Sequence, residues 1–371
     1  MRKRFWFGML GLLTFIALLT GCAKKEHYII YKGGPLTVDS FQTRIMALDV
    51  DTVSGNVALG FADSLAVVWN PQKREVLNEF YFHHHIINDL AFSPDGKLLV
   101  LASGDERLSV NNAVTGKFID SIALYNGAVT KVAFSYDGRF LAAGFTNSEV
   151  DIFELPDMSI FGTFNEHTNV VTEVAFSPNN YELYTAGRDS LFFIMDVEDS
   201  LSFKSKQTYG YLDAIAISSD AKYFAQGGTN KMVKVWQWKD ENLIPVGWFS
   251  RDIAKINDIA FYPTNNKIIV ACDQAGQVIF LKHSEPVDSS QKGLETGGVF
   301  RLAVLELGRF KAHDKAVRSC AFSRDASKLY TCSDDGTLKT WDVKKILADF
   351  KKKGSFLHTE KDLKVSVKKT S

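Results

Sequence analysis

Short apolar stretches recur along the chain at a nearly constant interval, and each is followed by a polar turn. In the clearest copy, Asn88–Gly96, alternating apolar residues lead through Ala91 and Phe92 into a Ser-Pro-Asp-Gly turn. Alternation of apolar and polar positions is typical of a β-strand, and a turn of this composition ends one. Related copies occupy Ile45–Leu48, Lys131–Gly138, Glu173–Pro178, Ala214–Ser218, Asn257–Phe261 and Ser319–Ser323.

The large apolar residue at the centre of each copy gives the period of the repeat. These residues are Leu48, Phe92, Phe134, Phe176, Ile217, Phe261 and Phe322. Neighbours in this series lie 41 to 44 residues apart, except for the last two, which are 61 apart. Each unit also contains a second apolar stretch, a tight polar turn, a third strand and a more variable fourth strand. Four short strands every ~40–45 residues predict the blades of a β-propeller, here seven blades of an all-β fold.

With these features the chain resembles the WD40 family over residues 41–343. Trp341-Asp342 is the dipeptide that names the family. The family favours a histidine nine residues before the central apolar position and an aspartate in the tight turn. Three blades carry both residues: His83 with Asp105, His167 with Asp189, and His313 with Asp335. The resemblance implies that each pair is a buried structural hydrogen bond, with Thr331 and Trp341 completing a tetrad in the last blade.

The two ends of the repeat region predict how the ring closes. Within residues 22–40, Tyr28–Thr37 falls in the register of a fourth strand and would complete the seventh blade, leaving no open strand edge. The competing candidate for that place is Ser355–His358. The interval of 61 indicates a loop insertion at about residues 284–299. Residues 344–371 form a Lys-rich tail, either solvated or in contact with anionic lipid.

Residues 1–21 have the organisation of a bacterial export signal. Basic residues precede an uncharged apolar run, Phe5–Thr20, which is short for a membrane span. The run ends in Leu19-Thr20-Gly21-Cys22, which resembles the lipobox of bacterial lipoproteins. The resemblance implies that Cys22 is acylated and anchors the protein to a membrane. It also implies that Ala23, after the cysteine, directs the protein to the outer membrane in a bacterium that has two membranes.

Composition and motifs exclude several classes of function. Lys+Arg and Asp+Glu are equal at 43 each, so no net charge attracts nucleic acid. The run His83-His84-His85 is the one stretch that suggests a metal site, but consecutive side chains of an extended chain point to opposite sides and cannot all reach one ion, so we expect no metal site. We find no phosphate loop or nucleophile elbow, and expect no cofactor and no enzymatic activity. The remaining cysteines are expected to be small buried residues: Cys272, Cys320 and Cys332.

These observations predict a non-enzymatic protein-interaction platform that is lipid-anchored in the bacterial cell envelope. A propeller presents its loops on a rigid body, so contacts with a protein partner are expected beside the tight turns. The residues in these positions are Arg107, Asn147, Arg188, Lys231 and Gln274. Two alternatives remain: an enzyme or small-molecule binder that uses the central channel, and a structural envelope protein without a specific partner.

Overall fold

Twenty-eight β-strands and one α-helix account for the regular structure of the described residues. This computed structural model describes residues 27–29, 43–124, 127–179, 181–198, 203–207, 210–239, 242–284 and 304–352. The strands form seven separate four-stranded sheets, each antiparallel throughout. The prediction of an all-β, seven-bladed propeller is therefore confirmed.

Six blades are continuous in the chain, and each is a meander of four strands. Blades 1 to 3 consist of β2 (Ile45–Val50), β3 (Val57–Phe61), β4 (Ala66–Asn70) and β5 (Glu75–Phe80); β6 (Ile87–Phe92), β7 (Leu98–Ser103), β8 (Arg107–Asn112) and β9 (Phe118–Ala123); and β10 (Val129–Phe134), β11 (Phe140–Phe145), β12 (Val150–Glu154) and β13 (Ser159–Phe164). Blades 4 to 6 consist of β14 (Val171–Phe176), β15 (Glu182–Gly187), β16 (Leu191–Asp196) and β17 (Phe203–Gln207); β18 (Leu212–Ile217), β19 (Tyr223–Gly228), β20 (Val233–Lys239) and β21 (Asn242–Phe249); and β22 (Ile256–Phe261), β23 (Ile268–Asp273), β24 (Gln277–His283) and β25 (Val304–Lys311).

Blade 7 combines the two ends of the chain. It contains β26 (Val317–Phe322), β27 (Lys328–Ser333), β28 (Leu338–Asp342) and, as its fourth strand, β1 (His27–Ile29). β1 pairs antiparallel with β28, with His27 opposite Thr340 and Ile29 opposite Leu338. The rest of the predicted closing strand and the competing stretch 355–358 lie outside the described residues.

Among the described residues the apolar core is divided into seven clusters, one at each junction between adjacent blades. The cluster that closes the ring joins Tyr330 and Leu338 of blade 7 to Ile45 and Leu48 of blade 1. The other six follow the chain around the ring. Because each sheet buries both faces against its neighbours, the ring holds together by mutual burial of apolar surface.

The register of blade 1 differs from the one expected from the sequence. Leu48 was aligned with Phe92, but the ladders place Val50 there: Val50 pairs with Val57 as Phe92 pairs with Leu99. Every innermost strand carries a one-residue bulge near its start, which in blade 1 falls at Met46. The corrected interval between blades 1 and 2 is 42 residues, in keeping with the next two intervals.

Helix α1 (Val343–Lys352) occupies the start of the segment expected to be a solvated tail. That expectation is wrong for residues 344–352, because Ile346 and Phe350 are buried in the cluster between blades 6 and 7. The ring of Phe350 stands over Gly308, and a Cβ on this glycine would lie 2.7 Å from the ring's Cγ. Residues 353–371 lie outside the described part of the chain. Within that part, no helix has the length and apolar character needed to cross a bilayer.

The antiparallel order puts the connections of every blade on two opposite faces. We call the face with the turns between first and second strands, and between third and fourth strands, the lower face. The opposite face carries the turns between second and third strands and the links from blade to blade, and we call it the upper face. The innermost strands of the seven blades line the central channel.

Candidate functional surfaces

In each of the three predicted histidine–aspartate pairs the two side chains are in contact, just below the upper face. The Nδ1 atoms of His83, His167 and His313 lie 3.0, 2.8 and 3.0 Å from a carboxylate oxygen of Asp105, Asp189 and Asp335, respectively. A carboxylate only accepts hydrogen bonds, so Nδ1 carries the proton and donates it. Each aspartate also accepts the backbone N–H of the residue after its histidine. The pair therefore fixes the blade-to-blade link to the tight turn of the same blade.

In blade 7 the hydrogen bonds form a directed chain. Trp341 Nε1 donates to Thr331 Oγ1 at 2.9 Å, and this hydroxyl lies 2.8 Å from Nε2 of His313. Since Nδ1 of His313 donates to Asp335, its Nε2 accepts from Thr331. All four members of the tetrad predicted from the family resemblance are thus in contact.

In blade 2 the histidine Nε2 also has a hydroxyl partner, but the hydroxyl comes from Ser109, a residue that sequence reasoning missed. Nε2 of His83 lies 2.9 Å from Ser109 Oγ, and Asn111 Nδ2 donates to the same hydroxyl at 3.0 Å. Ser109 is on the third strand, directly opposite Leu101 on the second. Its hydroxyl thus replaces one that would otherwise come from position 101, and only the register of the two strands could have revealed this.

Electrostatics favour the ionised form of the turn aspartates. Burial alone would raise the pKa of Asp189, but hydrogen bonds from His167 and from the backbone N–H groups of Thr168 and Leu191 outweigh it and lower that pKa. The same balance lowers the pKa of Asp105 and Asp335. Burial lowers the pKa of His83, which favours its neutral form.

Blade 6 has no aspartate at the expected place, which is occupied by Ala275. Asp273, two residues earlier and fully buried, takes over: its carboxylate accepts the N–H groups of Ala254, Ala275 and Gln277 at 3.2, 3.0 and 2.8 Å. It therefore links the blade-to-blade connection to the tight turn without a histidine. The sequence motif did not reveal this role, because Asp273 stands two residues before the position at which the motif has its aspartate.

Side chains at the bulges of four innermost strands join blades 2, 3, 4 and 6 to the blade that follows each of them. Asn88 donates to the carbonyl of Val129, Thr130 to that of Val171, Thr172 to that of Leu212, and Asn257 to that of Val317, at 2.6 to 2.8 Å. These partners are 40 to 60 residues apart in sequence. They satisfy polar groups at the upper end of the channel and hold the ring together there.

Charged side chains from four blades converge on the central channel. Lys131 Nζ lies 3.2 Å from Glu173 and 3.8 Å from Asp89, its neighbours on the two adjacent blades. Asp89 also accepts the N–H of Val132, and Asp258 accepts the N–H of Cys320 at 2.7 Å. Burial, together with the charges of Asp89 and Asp258, raises the pKa of Glu173 to about 8 despite the proximity of Lys131. Sequence reasoning missed this cluster, because its members meet only in the closed ring.

The channel cluster does not have the geometry of a metal site. Among the described residues, no group of three or more His, Cys, Asp or Glu side chains is arranged to hold a metal ion. His83 faces inward in its structural pair, whereas His84 and His85 are exposed. Cys272, Cys320 and Cys332 are buried free thiols, and burial raises the pKa of Cys272.

The five residues predicted to contact a partner lie on the upper face. Each stands in, or next to, the turn between second and third strands of a different blade, from blade 2 to blade 6: Arg107, Asn147, Arg188, Lys231 and Gln274. Four are exposed, and Arg107 is half-buried. Tyr81 and Tyr211, on blade-to-blade links of the same face, are 62% and 49% exposed and were not predicted. The lipidation site Cys22 and the insertion at 285–299 lie outside the described residues.

Comparisons with known proteins match parts of the repeat. The family described as "WD domain, G-beta repeat" matches residues 158–196 and 305–342, and the "Anaphase-promoting complex subunit 4 WD40 domain" matches residues 67–136. The U5 small nuclear ribonucleoprotein 40 kDa proteins of Homo sapiens and Mus musculus are 31% and 32% identical over 87 residues. These matches span 23% of this chain and 24% of each relative.

A solved structure extends the similarity to most of the ring. A chain of the "Crystal Structure of Mitotic Checkpoint Complex" superposes with a TM-score of 0.68 and 18% sequence identity. The superposition covers 81% of the present chain and 90% of the other. At this identity the likeness concerns the fold.

Proposed function

Because the chain belongs to the WD40-repeat family of β-propellers, we propose that it is a non-enzymatic protein-interaction platform, anchored by lipid in a bacterial cell envelope. The fold is consistent with an interaction scaffold. The observation that carries the proposal is the upper face, where Arg107, Asn147, Arg188, Lys231 and Gln274 project from five consecutive blades.

The upper face has the properties of a preorganised binding surface. The tight turns of blades 2, 4, 6 and 7 are held by aspartates, for example Asp189 below Arg188, so these turns have little conformational freedom to lose on binding. Exposed Tyr81 and Tyr211 add aromatic surface, a residue type enriched at protein interfaces. The solved structure named in the comparisons is that of a complex, the Mitotic Checkpoint Complex, which supports a protein as the partner.

Anchoring is proposed from the lipobox resemblance. Several acyl chains on Cys22 would give a stable attachment, since each buried CH₂ contributes about 0.8 kcal/mol. With Ala23 following Cys22, we propose the periplasmic face of the outer membrane in a bacterium with two membranes. Metabolic labelling with an alkyne fatty acid tests this: label should be lost in Cys22→Ser and retained in Cys272→Ala. Retention of label in Cys22→Ser would contradict the anchoring.

Co-purification from detergent-solubilised membranes tests the interaction. The native acylated protein should bring down a defined protein, and the upper-face variant Arg188→Glu with Lys231→Glu should lose it. The matched control, Lys97→Glu with Arg324→Glu, reverses the same number of charges on the lower face and should keep it. Repeated recovery of the propeller alone would contradict the proposal, as would equal loss in both variants.

The convergence of Asp89, Lys131, Glu173 and Asp258 supports a second candidate function, binding or conversion of a small molecule in the channel. Native mass spectrometry of the purified protein tests it. A bound small molecule that is lost in Lys131→Met would favour this alternative. A spectrum of the bare chain in both proteins would favour the interaction platform.

A further inference from the structure

The start of β1 lies very close in sequence to the proposed lipid anchor. His27 opens β1 and is five residues after Cys22. Five residues of fully extended chain span at most roughly 17 Å. If Cys22 is acylated, the end of blade 7 where β1 begins must therefore stay within that distance of the membrane surface.

The pairing of β1 shows which face of the propeller this is. His27 lies opposite Thr340, near the end of β28, and Ile29 lies opposite Leu338, at its start. β28 runs toward the lower face, where it is followed by α1 at Val343. The tether therefore leaves the ring at the lower face, beside α1.

Helix α1 displays lysines at this point from a fixed position. Its buried side, Val343, Ile346 and Phe350, packs between blades 6 and 7, and the ring of Phe350 also contacts Phe280 at 5.7 Å between centroids. Its other side exposes lysines: Lys344, Lys345 and Lys351. The helix thus holds a small basic patch next to the tether.

Exposed charge is distributed unequally between the two faces of the described ring. In the lower turns and α1 the exposed basic residues are Lys73, Arg74, Lys97, Lys117, Arg139, Lys222, Arg324, Lys344, Lys345 and Lys351. The exposed acidic residues there are Asp95, Asp137, Asp157, Glu198, Asp220 and Asp325. Four of these six accept a hydrogen bond from a serine of their own turn and keep their charge, so the excess of ten basic over six acidic residues comes mainly from the three lysines of α1.

The upper loops show no such excess. Their exposed basic residues are Arg44, Arg188, Lys231, Arg251 and Lys315, and their exposed acidic residues are Asp63, Glu106, Glu166, Asp252 and Asp314. Basic side chains near a membrane are attracted to anionic headgroups, and the attraction falls off within a Debye length. Only the lower face combines a basic excess with the tether.

We propose that the lower face of the ring rests on anionic lipid headgroups, so that the upper face points away from the membrane toward its partner. This orientation rests on the acylation of Cys22 proposed above and adds to it a defined docking surface. The short tether brings the lower face to the bilayer, and the lysines of α1 and the lower turns hold it there.

Fluorescence quenching by headgroup-labelled lipid tests the orientation in the full acylated protein. The protein is reconstituted in phosphatidylethanolamine vesicles that contain phosphatidylglycerol, with a single fluorophore at Lys117→Cys or Lys222→Cys on the lower face, or at Arg188→Cys or Lys315→Cys on the upper. The native thiols Cys272, Cys320 and Cys332 are buried. Strands of five or six residues at ~3.3 Å per residue separate the faces by roughly 20 Å. Lower-face labels should be quenched several-fold more strongly, and equal or reversed quenching would overturn the proposal.

Two variants test whether the lysines of α1 hold the lower face at the membrane. The triple substitution Lys344→Glu, Lys345→Glu and Lys351→Glu should reduce lower-face quenching, while Arg251→Glu, which reverses a charge on the upper face, should not. An unchanged signal in the triple variant would overturn the role of anionic lipid. Vesicle flotation distinguishes the two levels of failure: a protein that does not float contradicts the acyl anchor, whereas one that floats with equal quenching on both faces contradicts the orientation alone.

Discussion

Replacing Asp189 by alanine removes the acceptor that holds the link before blade 4 to the tight turn of that blade. The carboxylate is 2% exposed and accepts three hydrogen bonds, from His167 Nδ1 at 2.8 Å, Thr168 N at 3.0 Å and Leu191 N at 2.9 Å. Hydrogen bonds to a charged group contribute about 1.5–3 kcal/mol each. Water can reach the exposed Thr168 once the side chain is gone, so we expect a net loss of about 3–5 kcal/mol in the free energy of unfolding.

A matched control exists in blade 3. Asn147 occupies the same turn position but is exposed, and its side-chain oxygen accepts one backbone N–H, from Glu149 at 3.1 Å. Asn147→Ala should therefore cost only about 1 kcal/mol. Asp189→Asn should fall between the two, because an amide oxygen can replace only part of the carboxylate's hydrogen bonds.

Urea denaturation followed by tryptophan fluorescence measures these differences in a chain that begins at residue 23 and so lacks the proposed lipidation site. The midpoint should shift strongly for Asp189→Ala and slightly for Asn147→Ala. If both alanine variants lost the same amount, or if Asp189→Ala lost less than about 1 kcal/mol, the structural role assigned to the buried pair would be refuted.

Three further predictions concern other parts of the ring. Gly308→Ala should push Phe350 out of its site and lower the unfolding free energy by about 1–3 kcal/mol, with increased proteolysis of α1; unchanged protection of the helix would contradict its docking there. The raised pKa of Glu173, from 4.5 to about 8, means that the folded state holds this proton more tightly, so its contribution to stability is full below pH ~4.5 and is lost as the pH rises toward 8. Urea midpoints across this range should fall less in Glu173→Gln than in the wild type or in the surface control Glu166→Gln, and parallel profiles would refute the buried carboxyl. Asp273→Ala should cost about 3 kcal/mol in the same assay, because it leaves three N–H groups without their acceptor; a loss below about 1 kcal/mol would contradict its role in blade 6.

The sequence predicted the features that repeat with the period of the blade. The histidine and aspartate recur at fixed offsets in blades 2, 4 and 7, because the pair satisfies the same polar groups between the link and the turn of each of these blades. This is why the number of blades, the strand order and the three pairs follow from the sequence alone. Blade 1 was misaligned because its first turn replaces Ser-Pro-Asp-Gly with Asp51–Gly55, where Asp51 caps the turn through the N–H groups of Val53 and Ser54.

Features that depend on contacts between blades could not be predicted in the same way. Lys131 and Glu173 are a full repeat apart, and only closure of the ring brings them together with Asp258. The docking of α1 depends on a single missing side chain, at Gly308, which no periodic pattern marks. The partner residues proposed for the upper face remain predictions, since their position in the turns does not show what they bind.

Photo-crosslinking in intact cells tests the central claim most directly. A photoreactive amino acid is placed at one upper-face position at a time, Tyr81, Arg188 or Tyr211, and at Lys117 on the lower face as the control. If the ring is an interaction platform with its upper face toward the partner, irradiation will give a discrete protein adduct from the upper positions and none from Lys117. If no upper position yields a protein adduct, or if Lys117 alone does, the account is contradicted.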